Sequence, residues 1–137
     1  MKSVYILLFT VCLAACKKNN EQQPNTVYGY WNGTTSLYFS PYVAINLRNN
    51  GTARIFKSTT AITDTSSSAL TKSEGTYQMK GDTIEASFPF AITFFMGLSF
   101  TGQVDHSKST LTGSVINLNT GEYGGNETFY GAFTLTK

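Results

Sequence analysis

The chain has 137 residues, of which 13% are charged and nearly balanced in sign at a formal +2, so it presents no basic face for nucleic acid. Ten Phe, eight Tyr and twelve Gly against three Pro favour strands joined by tight turns over helices. The stretch after residue 26 holds roughly 110 residues, enough for one domain around one core and too few for two.

The chain opens Met1-Lys2-Ser3, continues as an apolar run from Val4 to Cys12, and reaches Leu13-Ala14-Ala15-Cys16. A positive start, about a dozen apolar residues and small residues before a cleavage point make an export signal, since such a core is too short to span a bilayer. Leu13-Ala14-Ala15-Cys16 resembles the lipobox of bacterial lipoproteins. The resemblance implies that residues 1–15 are removed as a signal peptide. It also implies that the Cys16 thiol takes a diacylglycerol and the new amine an acyl chain such as palmitate, several chains together holding the protein firmly to a membrane. Lys17 and Lys18 stand where an inner-membrane retention signal has Asp, and no acidic run of the surface-exported kind follows, so the expected location is the outer membrane, facing the periplasm. Residues 16–26 are polar, lack apolar periodicity and read as a flexible tether. Cys12 leaves with the leader and Cys16 is consumed by lipid, which leaves the folded part, 27–137, without a thiol for disulfides, catalysis or metal.

Period-2 alternation recurs through the rest of the chain, and no stretch sustains a 3.6-residue period. A first strand is expected around residues 28–34. Val43, Ile45 and Leu47 alternate with Tyr42, Ala44, Asn46 and Arg48, and Asn49-Asn50-Gly51 then supplies residues that tolerate positive φ at a hairpin turn. Ala53 and Ile55 return on one face, Arg54 and Phe56 on the other. Residues 59–73 are rich in Ser and Thr, with Ile62 and Leu70 as the sizeable apolar groups, and read as a long loop, either a lid or disordered chain. Gly75-Thr76-Tyr77-Gln78-Met79-Lys80 and Thr83-Ile84-Glu85-Ala86-Ser87-Phe88 flank Gly81-Asp82 as a second hairpin. Phe88, Phe90, Ile92, Phe94, Met96, Leu98 and Phe100 then share one parity, which puts them on one face of a strand, straight or bent near Pro89 or Gly97. A polar turn at Asp105-His106-Ser107-Lys108 separates Gly102-Gln103-Val104 from a strand over residues 110–117. Asn119-Thr120-Gly121 breaks the chain, and residues 128–136 close it with Phe129, Phe133 and Leu135 on one side. About eight adjacent antiparallel strands would leave exposed edges in an open sheet, so the expected fold is all-β, an up-and-down meander closed into a barrel.

Catalytic chemistry is not legible in this pattern. His106 lies between Asp105 and Ser107, but chain neighbours cannot converge on one reacting atom as a triad does, and the run reads as a solvated turn. The eight carboxylates are scattered singly, without metal-loop spacing. Glu85 sits in an apolar strand, yet alternation turns it outward. Glu122, Tyr123 and Glu127 lie in a Gly-rich stretch, residues 121–131, where neither a following Lys nor a helix start provides a phosphate cradle. The reading is a non-enzymatic protein without metal or cofactor.

Gly29-Tyr30-Trp31 resembles the Gly-x-Trp signature of the lipocalin and calycin group. Around it, Leu47-Arg48-Asn49-Asn50-Gly51-Thr52, the Gly75 to Ile84 hairpin, and the pair Phe100-Thr101-Gly102-Gln103-Val104 and Leu111-Thr112-Gly113 resemble, in order, small lipocalin-like lipoproteins common in Bacteroidetes. The likeness covers most of the folded part. It implies a lipocalin-like barrel whose Trp31, preceded by Gly29, packs across one closed end. That family places an Arg from the last strand over the Trp, and residues 128–137 contain none. In so small a barrel the lumen is either filled by side chains or holds one small ligand. The face formed by Phe88, Phe90, Ile92, Phe94, Met96, Leu98 and Phe100 therefore lines a site for a small hydrophobic molecule, or it is core. The first alternative gives a lipid-anchored, ligand-binding envelope lipoprotein. The second gives a structural or protein-interaction lipoprotein whose Tyr28, Tyr30, Tyr38 and Tyr42 meet another envelope component.

Overall fold

The computed structural model describes residues 26–91, 95–120 and 126–137, with 90, 91, 95, 96, 118–120, 126 and 127 described by backbone alone. The leader, Cys16 and most of the tether lie outside the described residues. Eight strands follow one another: β1 (Gly29–Thr35), β2 (Tyr42–Leu47), β3 (Thr52–Ser58), β4 (Thr71–Lys80), β5 (Thr83–Ala91), β6 (Phe95–Val104), β7 (Thr110–Thr120) and β8 (Asn126–Thr136). Each pairs antiparallel with the next, and β8 returns to β1 from Asn32↔Thr136 to Thr35↔Phe133, closing the barrel. Closure removes the sheet edges that an open meander of this length would leave unpaired.

Local chemistry fixes the turns at one end, the base. Gly51 takes φ of 79° after Asn49-Asn50, and the Asn50 side-chain oxygen accepts from the Thr52 amide at 3.1 Å, which locks the β2–β3 hairpin in register. The β6–β7 turn is held by Asp105, whose carboxylate accepts from the amides of Ser109 and Thr110, each at 2.7 Å, and from the Ser107 hydroxyl. These bonds, the Ser107 hydroxyl first, hold the Asp105 carboxyl far below the ordinary carboxylate range. Asp105, His106 and Ser107 thus form a solvated turn, with His106 exposed.

Alternation sorts the walls. Trp31, Val43, Ile45, Ala53, Ile55, Ile84, Phe88, Leu98, Phe100, Val115, Phe133 and Leu135 point inward and form one buried cluster. Across the middle, Phe100 meets Phe88 edge-on with ring centroids 6.0 Å apart and Phe133 at 5.1 Å, so three aromatic rings interlock there. Opposite Phe88 the inward position of β4 is Gly75. A Cβ there would lie 2.6 Å from the Phe88 ring and 2.1 Å from the Ser87 carbonyl oxygen.

Three details depart from the sequence expectations. The run from Phe88 to Phe100 is two strands, because the chain reverses between Ala91 and Phe95, which are register partners. An odd number of residues separates these partners, so inward parity is the same on both sides of the turn and alternation alone could not reveal it. Next, β4 begins at Thr71, although residues 71–73 read as loop. These residues pair with Lys57, Phe56 and Ile55 of β3, and the segment looked unlike a strand because the inward positions facing the large β5 residues are Ser73 and Gly75. Finally, the loop of residues 59–70 is neither lid nor disordered. Ile62 is buried on the outer wall against Phe56 and Ala44, with Leu70 and Tyr42 packed beside them, and the Asn32 side-chain amide donates to the Ile62 carbonyl at 2.9 Å.

One seam of the wall is thin. The β4–β5 register ends at Thr76↔Ser87. The Val104 amide donates to the Asp82 carbonyl, so ladder alternation directs the backbone of the odd-numbered β5 residues toward β4. At Pro89 that direction has no N–H to offer, and the Ser73 hydroxyl donates to the Pro89 carbonyl in place of a ladder bond.

Candidate functional site

The two ends of the lumen are built differently. At the base, Trp31 is fully buried, and its indole N–H donates to the Val27 carbonyl at 2.8 Å. Gly29, with φ of 112°, turns the entering chain so that Val27 can come back over the ring. The Lys137 ammonium lies 5.8 Å from the Trp31 ring centroid and also donates to the Thr26 carbonyl. Lys137, directly after β8, thus places a cation against the Trp31 ring, and burial followed by the neighbouring Lys108 charge pulls its pKa down. Tyr77 points into the base, where its hydroxyl donates to the Arg48 carbonyl at 2.6 Å.

At the other end, the rim, the roof is a loop. Residues 36–41 connect β1 to β2 and fold inward over β8. The Ser36 amide donates to the Ala132 carbonyl and the Ala132 amide returns a bond to the Ser36 hydroxyl, each at 2.9 Å. This seats Leu37, 4% exposed, in the core cluster above Gly131, where a Cβ would come 3.1 Å from the leucine side chain. The Thr35 hydroxyl donates to the Ser40 carbonyl at 2.7 Å and accepts from the Leu37 amide at 3.1 Å, holding the loop closed. Phe39 meets Phe129 edge-on at 5.5 Å, while Tyr38, between Leu37 and Phe39 in the loop, stands 96% exposed.

Toward the rim the inward positions turn polar. Asn117 follows Val115 on the inward face of β7, with Leu98 and Phe129 as its register partners, and is 2% exposed. Its side-chain N–H2 has no hydrogen-bond partner among the described residues, and neither does the buried Ser40 hydroxyl. Such orphaned groups are uncommon inside folded proteins, because each gives up water without replacement. Lys57 takes the inward position of β3 after Ile55, and partial burial lowers its pKa.

Of the residues named from sequence, Phe88, Leu98 and Phe100 are fully buried in the middle of the barrel, with Leu98 beside Asn117 as its register partner. Ile92 and Phe94, and the side chains of Phe90 and Met96, lie outside the described residues, as do Cys16, Glu122, Tyr123 and the Glu127 side chain. Gly29 and Trp31 are together at the base. Sequence reading missed Leu37, Phe39 and Asn117. The signal for Asn117 was a polar residue in the apolar register Leu111, Val115, and for Leu37 and Phe39 two large apolar residues inside a short connection.

Elsewhere, a groove of about 470 Å3 on the outer wall is lined by outward Thr76, Gln78, Glu85, Ser87 and Ser99. Glu85 there pairs with Lys80 at 3.0 Å and accepts from Gln78 at 2.7 Å, and these bonds, Lys80 first, lower its pKa. A smaller hollow of about 280 Å3 lies under the base between Val27, Tyr28, Met79, Val104 and Lys108. Glu74 bridges Arg48 at 2.9 Å and Arg54 on the outside of β4. Among the described residues no group of His, Cys, Asp and Glu could hold a metal ion, and no helix is long and apolar enough to cross a membrane. No family model, curated protein or solved structure matches this chain.

Proposed function

We propose that this protein is a lipid-anchored, non-enzymatic envelope lipoprotein whose barrel holds a small hydrophobic molecule in its rim end. The observation that carries the reading is the inward loop of residues 36–41. Leu37 and Phe39 fill the upper lumen as an apolar ligand would, yet they belong to a connection rather than to the wall, so they can leave without breaking a ladder bond between strands. The interlocked Phe88, Phe100 and Phe133 form the floor, which limits the site to the upper half.

The anchor rests on Leu13-Ala14-Ala15-Cys16. The chain enters the barrel at the base, beside Trp31, so an acylated Cys16 sets the base toward the membrane of attachment and the rim away from it. Native mass spectrometry of the purified protein tests the ligand: a small apolar molecule co-purifies and is lost on solvent extraction. Cys16→Ser tests the anchor, moving the protein from the membrane to the soluble fraction; retention of this variant in the membrane contradicts it.

The filled middle of the barrel favours a second reading, a structural or protein-interaction lipoprotein without ligand. Its contact surface would be the exposed aromatics Tyr38 and Tyr130, 96% and 76% exposed, with Tyr28 and Tyr30 near the base. A protein that carries no molecule from the cell and binds none of a hydrophobic panel supports this alternative.

A further inference from the structure

We infer that Asn117 is the recognition point for a carbonyl oxygen of a small amphiphile, which enters the barrel head first when the 36–41 loop swings out. The inference rests on the ligand-binding reading above and adds the chemistry of the ligand's polar group.

The Asn117 side-chain N–H2 offers two donors and no acceptor capacity. It is buried, points inward, and has no partner among the described residues. Its register neighbours Leu98 and Phe129 are apolar, and so is Val115, the next inward residue below it. Among the described residues these neighbours supply no acceptor, and the group assigned to this amide comes from within the lumen. A carboxylate, ester or amide carbonyl meets that need, whereas a hydrocarbon does not.

The roof adds a second reason. Leu37 sits on Gly131, the register partner of Val115, and so covers the wall beside Asn117. The same closed loop buries the Ser40 hydroxyl without a partner. Closure therefore leaves two polar groups unpaired, and opening returns Ser40 to water while freeing the approach to Asn117. Phe88 lies in the register row of Asn117 through Leu98, and Phe100 pairs with Val115 one inward step deeper, so the interlocked rings stop the head beside Asn117 while the tail runs along Phe129 and Phe39.

The test measures affinities of the full chain carrying Cys16→Ser for dodecanoate, methyl dodecanoate and dodecane, by displacement of a fluorescent naphthalene dye. The acid and the ester are expected to bind about tenfold tighter than the hydrocarbon, the size of one hydrogen bond made in a dry site. Asn117→Leu, close in volume, removes that preference while dodecane binds as before, and the empty variant melts at or above the wild-type temperature because an unpaired group is gone. Equal binding of the three probes, or a preference that survives in Asn117→Leu, overturns the assignment of Asn117 while leaving the ligand-binding reading intact. Failure of all three probes to bind overturns both.

Discussion

The base and the rim of this barrel solve the same problem, closing a lumen, with opposite means. Among the described residues no buried side-chain polar atom of the base lacks a partner: the Trp31 indole has Val27, the Tyr77 hydroxyl Arg48, and the Lys137 ammonium Thr26 and the Trp31 ring. At the rim the closure is a connection folded inward, and it leaves Ser40 and Asn117 unpaired. A closure that satisfies its polar groups is a permanent part of the core. One that does not is held at a cost and releases more readily, which is the property a binding end needs.

Substitutions at different heights in the lumen sharpen this contrast. Phe100→Ala removes the ring that bridges Phe88 and Phe133 and is expected to cost about 3–5 kcal/mol, read from urea unfolding midpoints, since the rigid walls cannot collapse into the space. Gly75→Ala drives a methyl into Phe88 and the Ser87 carbonyl and is expected to cost about 1–3 kcal/mol or somewhat more. Leu37→Ala at the rim should cost less than about 2 kcal/mol, at the low end for a buried leucine because the loop can settle, and faster amide exchange should be confined to Ser36 and Leu37 and the residues they hold. A Leu37→Ala loss as large as that of Phe100→Ala would mean that the rim is as integral to the core as the middle.

The smallest effect is expected on the outer wall, at Glu74. Its hydrogen bond with Arg48 comes first among the causes that hold its carboxyl below the ordinary glutamate value of 4.5. A depressed folded pKa means stability that is fully present above the unfolded value and lost as pH falls through the folded one. The bridge is more than half exposed on the Glu74 side, so Glu74→Gln should cost less than about 1 kcal/mol at neutral pH. The difference from wild type should vanish in acid; a difference that grew on acidification would contradict the assigned partners.

The meander was readable because its signals are local. Asn49-Asn50-Gly51 and Gly81-Asp82 mark turns by backbone tolerance, and the apolar residues of β2, β3 and β7 recur at period two on the inward face, with Ala44 and Phe56 as outward residues that Ile62 buries. The reversal after Ala91 was hidden because the turn preserves parity. The placement of Ile62 on the outer wall and Leu37 in the lumen was hidden for another reason: both sit in connections, where apolar residues carry no period to say which surface they will cover. The Lys137 contact with Trp31 depends on closure between chain positions far apart, which no local pattern encodes.

That closure also has a kinetic side. Seven of the eight ladders join strands adjacent in sequence and can form as hairpins, but the β1–β8 ladder joins residues about a hundred positions apart over only four register pairs. Long-range pairing is slow, because the chain must give up the entropy of a large loop before the contact repays it. The ring can lock only once β8 is in place, so the chain remains an open, unlocked meander until its last strand returns to its first.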